Sequence, residues 1–408
     1  MKMLSLFLIV VVDLIGFGII IPLLPFYGEH FKADPQTVGL LMATYSFAQF
    51  VSAPLWGRLS DRAGRRPVLL LSLAGAAAAY VWLAFADALW MLFTARALGG
   101  LMAGNIAAAF AYMADITTKE NRAKGMGLIG AAFGIGFILG PAVGGILAGP
   151  DPLTADYRSP ALAAAGLSLL ALLLGLLRLP ESLPAEVRAR MAALPPGRRL
   201  DQFLAALRLP GVGLLMLLGF LATFVFAGLE TTFAMWSRRA FGWGPEQNGW
   251  LFAYIGLMSA AIQGGLMGRL AARFGEKNLL VQGAVALALG IGAIPFCTEV
   301  WHLLIAMAVA AYGFSVINPA YNSLISQQVP DTDQGGVMGV TRSATTLARV
   351  LGPAWAGMLF AHLGRDWPYF SGAAVMAAVL LLALAVPGRG RVEATHADPP
   401  SQADGNPR

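Results

Sequence analysis

A single cysteine, Cys297, in 408 residues rules out an internal disulfide framework and a cysteine-bound metal cluster. Its remaining role is that of a small apolar filler. Histidine is also scarce, and His30, His302, His362 and His396 show no paired metal spacing. No phosphate-binding P-loop occurs, which argues against an ATP-driven pump. No soluble signalling domain or long partner-binding loop is evident, which argues against a receptor. Charged residues make up only 12% of the chain, about half the share usual in a soluble domain. No cofactor is implied, and nothing points to an enzyme.

What is abundant is apolar. Hydrophobic residues reach 57% and the mean hydropathy is +0.67. A water-soluble chain of this size has too little interior to hide that much apolar surface, so lipid is part of its solvent. The 48 glycines fit the same class, since glycine lets membrane helices approach closely. The first apolar run is too long for a signal-peptide core and carries Asp13 in its middle, so it reads as a retained first span.

Runs near the roughly 20 residues needed to cross a bilayer fall at about 4–24, 37–57, 67–86, 88–114, 123–148 and 159–179. A second six fall at about 210–237, 246–268, 278–296, 300–327, 334–361 and 368–387. The expected organisation is a bundle over 1–179, a charged linker over 180–209, a second bundle over 210–387 and a disordered polar tail over 388–408. Part of the linker reads as an amphipathic helix. With the N-terminus inside, 20 of the 28 Lys and Arg residues lie on the inner side, five outside and three within or at the ends of spans. That bias puts both termini and the linker in the cytoplasm. Positive charge in short loops is a topology signal, so the net charge of +6 does not indicate nucleic-acid binding. Trp90, Trp236, Trp243, Trp301 and Trp367, near span ends, are expected as interfacial anchors.

The halves repeat each other. Gly57 to Gly64 (GRLSDRAG) returns as Gly268 to Gly275 (GRLAARFG), and Gly140 to Leu147 (GPAVGGIL) returns 212 residues later as Gly352 to Leu359 (GPAWAGML). Two echoes at nearly one offset are the mark of a duplicated transporter. The expected fold is therefore an all-α membrane protein, with twelve transmembrane helices in two pseudo-twofold-related six-helix bundles.

The loop Gly57 to Pro67 is built for a reversal. Gly57 and Gly64 allow a tight turn, and Pro67 suits the first turn of the next helix. Asp61 lies among Arg58, Arg62, Arg65 and Arg66, paired locally or capping the start of another helix. This G-x-L-x-D-R-x-G-R-R pattern resembles the loop motif of the major facilitator superfamily. Asp13 to Pro25 (DLIGFGIIIPLLP), Arg96 to Asn105 (RALGGLMAGN) and the glycine-rich stretch Gly130 to Gly145 are similar to motifs of its twelve-helix drug:proton antiporters. The likeness covers residues 1–387 and is nearest to the tetracycline-efflux branch.

The resemblance implies roles at matching positions. Gly57, Asp61, Arg62, Gly64, Arg65, Arg66 and Asp115 fall where the family keeps a latch between the halves. Arg96 falls where a buried arginine takes part in proton coupling. Gly136, Gly140, Pro141, Gly144 and Gly145 fall on the antiporter motif, with Gly140 and Pro141 expected against a helix of the other half. Ala272 replaces Asp61 in the second loop, so the latch is one-sided. Tetracycline exporters carry an aspartate where Ala79 stands and an acidic residue in the ninth span. This ninth span has none, which argues against tetracycline as cargo.

A central Asp, Lys or Arg costs roughly 2.5–3.5 kcal/mol to insert, so each is a candidate for function. Asp13, Arg96, Glu230 and Arg349 stand out, Arg349 with a structural role beside Gly352 and Pro353 left open. Glu230, with Gly228 and Thr231 beside it, has the placement of a carboxyl group whose protonation follows its access to water. Asp13, Arg96 and Glu230 are the proton-coupling candidates. Tyr45, Gln49, Asn105, Phe110, Phe224, Tyr254, Gln263, Asn318, Tyr321 and Asn322 are candidates for a central cavity suited to greasy, cyclic or cationic compounds. The expected partners are a small-molecule substrate, protons and the lipid bilayer, without nucleic acid, and the expected state is a monomer. The function expected is proton-coupled export of small lipophilic or amphiphilic compounds. A metabolite or sugar carrier, or a lipid flippase, is the alternative on the same fold.

Overall fold

The computed structural model describes residues 2–118, 121–193, 211–329 and 334–386. The first bundle holds α1 (Lys2–His30), α2 (Pro35–Ala63), α3 (Arg65–Ala84), α4 (Leu89–Ile116), α5 (Arg122–Ala148) and α6 (Arg158–Arg178). The second holds α7 (Val212–Phe241), α8 (Pro245–Phe274), α9 (Glu276–Phe296), α10 (Val300–Gln328), α11 (Gln334–His362) and α12 (Trp367–Ala385). Among the described residues, eleven of these helices are long and apolar enough to cross a membrane. The twelfth, α11, is 29 residues long, enough to span, but carries Arg342, Ser343, Thr345, Thr346 and Arg349. Composition hides it because these polar side chains lower its average hydropathy, and none of them is buried.

Helix ends follow local chemistry. Pro35 and Pro245 occupy first helical positions, where a missing N–H costs nothing. Gly64 and Gly275, with φ of 108° and 75°, make the matching reversals between α2 and α3 and between α8 and α9. Pro22 and Pro25 set a short 3₁₀ turn into α1 over Ile21–Leu23. In α4 the helix opens at 102–104; the Trp56 indole N–H donates to the Leu101 carbonyl at 2.5 Å, and Trp56 fills the space beside Gly104. A π-helical turn, Ile262–Leu266, interrupts α8 around Gly264 and Gly265.

Asp34 caps α2, its Oδ1 accepting the Thr37 N–H at 2.7 Å. Asp156 caps α6, accepting the N–H groups of Arg158 and Ser159 at 2.8 and 3.1 Å. These bonds, with the Thr37 hydroxyl at Asp34 and the Ser159 hydroxyl at Asp156, hold both carboxyls below the usual carboxylate range. A depressed carboxyl stabilises the fold at neutral pH, and its contribution disappears as pH falls through the lowered value. Asp34→Ala is expected to cost about 1 kcal/mol. Thermal melts in detergent should show the loss at pH 7 and no difference from the parent in strong acid.

Packing repeats between the halves: α1 lies on α5 and α6 as α7 lies on α11 and α12, while α3 pairs with α6 as α9 pairs with α12. The halves meet through α5 against α8 and α2 against α11, a second symmetric pair. Glycine makes these approaches possible. A Cβ at Gly140 would stand 2.6 Å from Gly18 Cα of α1, and one at Gly352 would stand 2.3 Å from the Phe224 carbonyl of α7. Five residues further on, Gly145 faces Pro245 and Gly249 of α8, and Gly357 faces Pro35 and Gly39 of α2.

Two expectations are corrected. Gly140 packs on α1 of its own half, as do Gly136 and Gly144; the other half is touched by Gly145 and by the Pro141 carbonyl, which faces Gly249. Helical geometry explains the split, since residues four apart share a face and the fifth is turned away. Trp236 is not an interfacial anchor. It is 1% exposed, its indole N–H donates to Asp366 at 2.8 Å, and Phe233, Phe241 and Tyr369 surround it. Trp90, Trp301 and Trp367 are exposed. The linker contains a short helix, Ala185–Ala193; its remainder and the tail expected over 388–408 lie outside the described residues.

Candidate functional site: a charged cleft between the halves

The halves close at one end and part at the other. At the closed end Glu29 of α1 accepts from Arg238 at 2.9 Å and lies 3.7 Å from Arg239, both on α7. His362 meets Gln36 at 3.0 Å, and the Glu246 N–H donates to the Gly149 carbonyl at 3.2 Å. At the opposite end, Gly127 and Gly130 of α5, Gly264 and Gly268 of α8, and Gly336 and Gly339 of α11 face open space.

Asp13, Tyr45, Arg96 and Asn105 come together in the first half, around a small hollow also lined by Tyr80 and Ala79. Asp13 is buried on α1. The Asn105 side-chain amide donates to its Oδ2, and the Ser168 hydroxyl to its Oδ1 at 3.4 Å. Arg96 is buried on α4 with its guanidinium 4.4 Å from the centre of the Tyr45 ring, and its Nε has no hydrogen-bond partner. No described carboxylate forms an ion pair with Arg96.

In the second half Glu230 is buried on α7 and pairs with Arg349 of α11, Nη1 to Oε2 at 3.4 Å. The pair joins residues 119 positions apart, which no local reading of the chain reveals. Arg349 keeps a 39% exposed side chain beside the 9% exposed Glu230. Arg342, two turns earlier on α11, reaches across to the Phe110 ring of α4 at 5.3 Å. Asn318 and Asn322 donate to carbonyls one turn back on α10, at 3.3 and 2.8 Å. Tyr321 is buried against Gly219, and Phe224 stacks on Phe220 with ring centres 6.3 Å apart. Tyr254 and Gln49 are half-buried, while Gln263 is exposed in the π-helical turn.

The latch candidates cluster at the open end. Arg65 is buried and donates to Asp61 at 2.7 Å, to Ser60 at 3.0 Å and to Asp115 at 3.3 Å. Asp115 also accepts the Ser182 hydroxyl at 2.9 Å. The helix cap foreseen for Asp61 is made by Glu181, which accepts the backbone N–H groups of Arg65 and Arg66 at 2.9 and 3.2 Å. A Cβ at Gly64 would collide with that carboxylate at 2.4 Å. Gly57 is half-buried and Arg62 is exposed. Among the described residues, the ion pairs and hydrogen bonds of this cluster stay within the first half and the start of the linker, and none reaches the second half. Arg65→Ala is expected to cost about 1–2 kcal/mol, because both carboxylates remain partly solvated. A lowered Tm in detergent, unrescued by Arg65→Lys for want of a forked donor, checks it.

Two six-helix bundles around a polar cleft, with charged side chains inside the spans and the Glu230–Arg349 ion pair joining α7 to α11, define a multi-pass membrane transporter. The model of the Major Facilitator Superfamily matches residues 6–267 and, overlapping, 215–405; the chain belongs to that superfamily. It is 34% identical over 362 residues to the tetracycline resistance protein, class C, of Escherichia coli, covering 88% of this chain and 89% of that one. It is 29% identical to multidrug resistance protein 2 of Bacillus subtilis (strain 168), over 90% of each. The crystal structure of the human organic anion transporter MFSD10 (TETRAN) superposes with a TM-score of 0.72 at 28% identity, covering 94% of this chain and 98% of that one.

Proposed function

We propose that the protein is a proton-coupled secondary exporter of small lipophilic or amphiphilic compounds, working by alternating access with both termini in the cytoplasm. On this reading the parted end faces the cytoplasm and the Glu29–Arg238 end faces outward. The observation that carries it is the buried Glu230–Arg349 pair on the cleft wall. A carboxylate held by an exposed arginine changes partner when water or cargo enters, which ties protonation to conformation. Asp13 and Arg96, buried in the first half, would relay or store charge as the halves rock. Asp61, Arg65 and Asp115, preassembled on one half, would receive the end of an opposing helix when the inner side closes. Relatives named for tetracycline and multidrug resistance support export of foreign compounds.

The test is uptake into inverted vesicles of a panel of dyes and antibiotics, with an imposed and then a collapsed pH gradient. Accumulation that follows the gradient is expected. Accumulation that ignores it removes the proton from the cycle.

A further inference from the structure

Two of the cavity aromatics, Tyr45 and Phe110, already carry a cation of the protein itself. Arg96 sits on Tyr45, and Arg342 sits on Phe110. One face of each ring is thus engaged by one of the protein's own cations, and the other face is left for an uncharged ring. Away from the helix ends, the described charged side chains inside the spans are Asp13, Glu230, Arg96, Arg342 and Arg349, so positive charge is in excess. Asp13 is engaged by Asn105 and Ser168. Glu230 holds Arg349 through one nitrogen–oxygen contact. Arg342 forms no ion pair among the described residues and is exposed.

Arg342 and Arg349 lie seven residues apart on α11, two turns along one face. That face points into the cleft, because Arg342 touches Phe110 of the other half. Two long guanidinium side chains at this spacing can converge on one carboxylate, which accepts their planar forks bidentately. We propose that the cargo is a flat aromatic carboxylate, gripped by Arg342 and Arg349 with its ring system against Phe110. Glu230 is the occupant of Arg349 in the empty cleft and is displaced by the arriving carboxylate. The inference rests on the cleft being the transport path and gives that path a charge preference.

Fluorescein and rhodamine 123 share a xanthene ring and carry opposite charge, so they separate the sign of charge from ring shape. Anisotropy titrations of the full chain in lipid nanodiscs should show fluorescein binding at least tenfold more tightly. Arg342→Gln and Arg349→Gln should each weaken fluorescein at least tenfold. Glu230→Gln should tighten it, a gain that a misfolded protein does not give. Rhodamine 123 binding as tightly as fluorescein, or fluorescein weakened by Glu230→Gln, overturns the proposal. Vesicle transport keeps the two readings apart. Fluorescein bound with these variant effects, but unmoved by a pH gradient, refutes proton coupling and leaves the carboxylate site. Rhodamine 123 driven by the gradient in preference to fluorescein does the reverse.

Discussion

Transport driven by a pH gradient is expected to fall at least a hundredfold in Glu230→Gln, while exchange of cargo down its own gradient stays within about threefold of the parent. Glutamine matches the shape of glutamate and keeps an oxygen for Arg349 Nη1, so the 3.4 Å contact survives as a neutral hydrogen bond. What it removes is the ability to change charge. A carboxylate beside an exposed arginine has two arrangements, paired or protonated, and only a titratable side chain moves between them. Glu230→Ala is the wrong variant for this question. It strands Arg349, which costs about 3–5 kcal/mol for a fully buried pair and less here because Arg349 reaches the cleft. Inverted vesicles carrying equal amounts of each protein, with and without an imposed gradient, give the result directly. A glutamine variant that still concentrates cargo takes Glu230 out of the coupling step and leaves Asp13 as the remaining buried carboxylate.

Gly249→Val and Gly39→Val are expected to arrest the cycle with the closed end wedged apart. A Cβ at Gly249 would stand 2.4 Å from the Pro141 carbonyl and 3.0 Å from Gly145, and one at Gly39 would stand 2.4 Å from the Pro353 carbonyl and 3.1 Å from Gly357. The obstacle in each case is backbone, which cannot rotate aside as a side chain would. Overpacking of this kind costs about 1–3 kcal/mol. Because only the closed end suffers it, the penalty biases one conformation by about five- to 150-fold. Spin labels at Lys32 and Arg365 should report a longer distance, with transport reduced at least tenfold and membrane insertion unchanged. Gly268→Val, in open space at the other end, is the control and should leave the distance as it is. An unaltered distance in the Gly39 and Gly249 variants would refute the wedge.

The spans were legible because a bilayer imposes a length and a polarity that a run of apolar residues announces. Helix α5 was expected over 123–148 and occupies Arg122–Ala148. The duplicated motifs were legible too, and Gly64 and Gly275 make the reversals their position suggested. The same offset held more than was taken from it: Gly39 and Gly249 stand 210 residues apart, and each meets a glycine of the opposite half. Other features left no local trace. Glu181 read as one charge in a polar linker, yet it caps α3 across 116 residues of chain. Arg349 read as a neighbour of Gly352 and Pro353 and proves to be the partner of Glu230. The cavity aromatics read as suited to greasy, cyclic or cationic compounds, and the arginines that cover Tyr45 and Phe110 left no local trace because they lie on other helices.

The chain's composition and repeats determined by themselves a membrane protein of two similar six-helix halves, because hydrophobic length, loop charge and duplication are properties of order along the chain. Tertiary structure alone decided which face of each helix meets which neighbour. It set Gly145 rather than Gly140 on the border between the halves, buried Trp236, and brought Arg349 to Glu230. The physical reason is that helices in lipid gain no hydrophobic energy by choosing one partner over another. Their pairing is settled by close packing and by the need of buried charges for polar, aromatic or oppositely charged partners, and both depend on residues far apart in sequence.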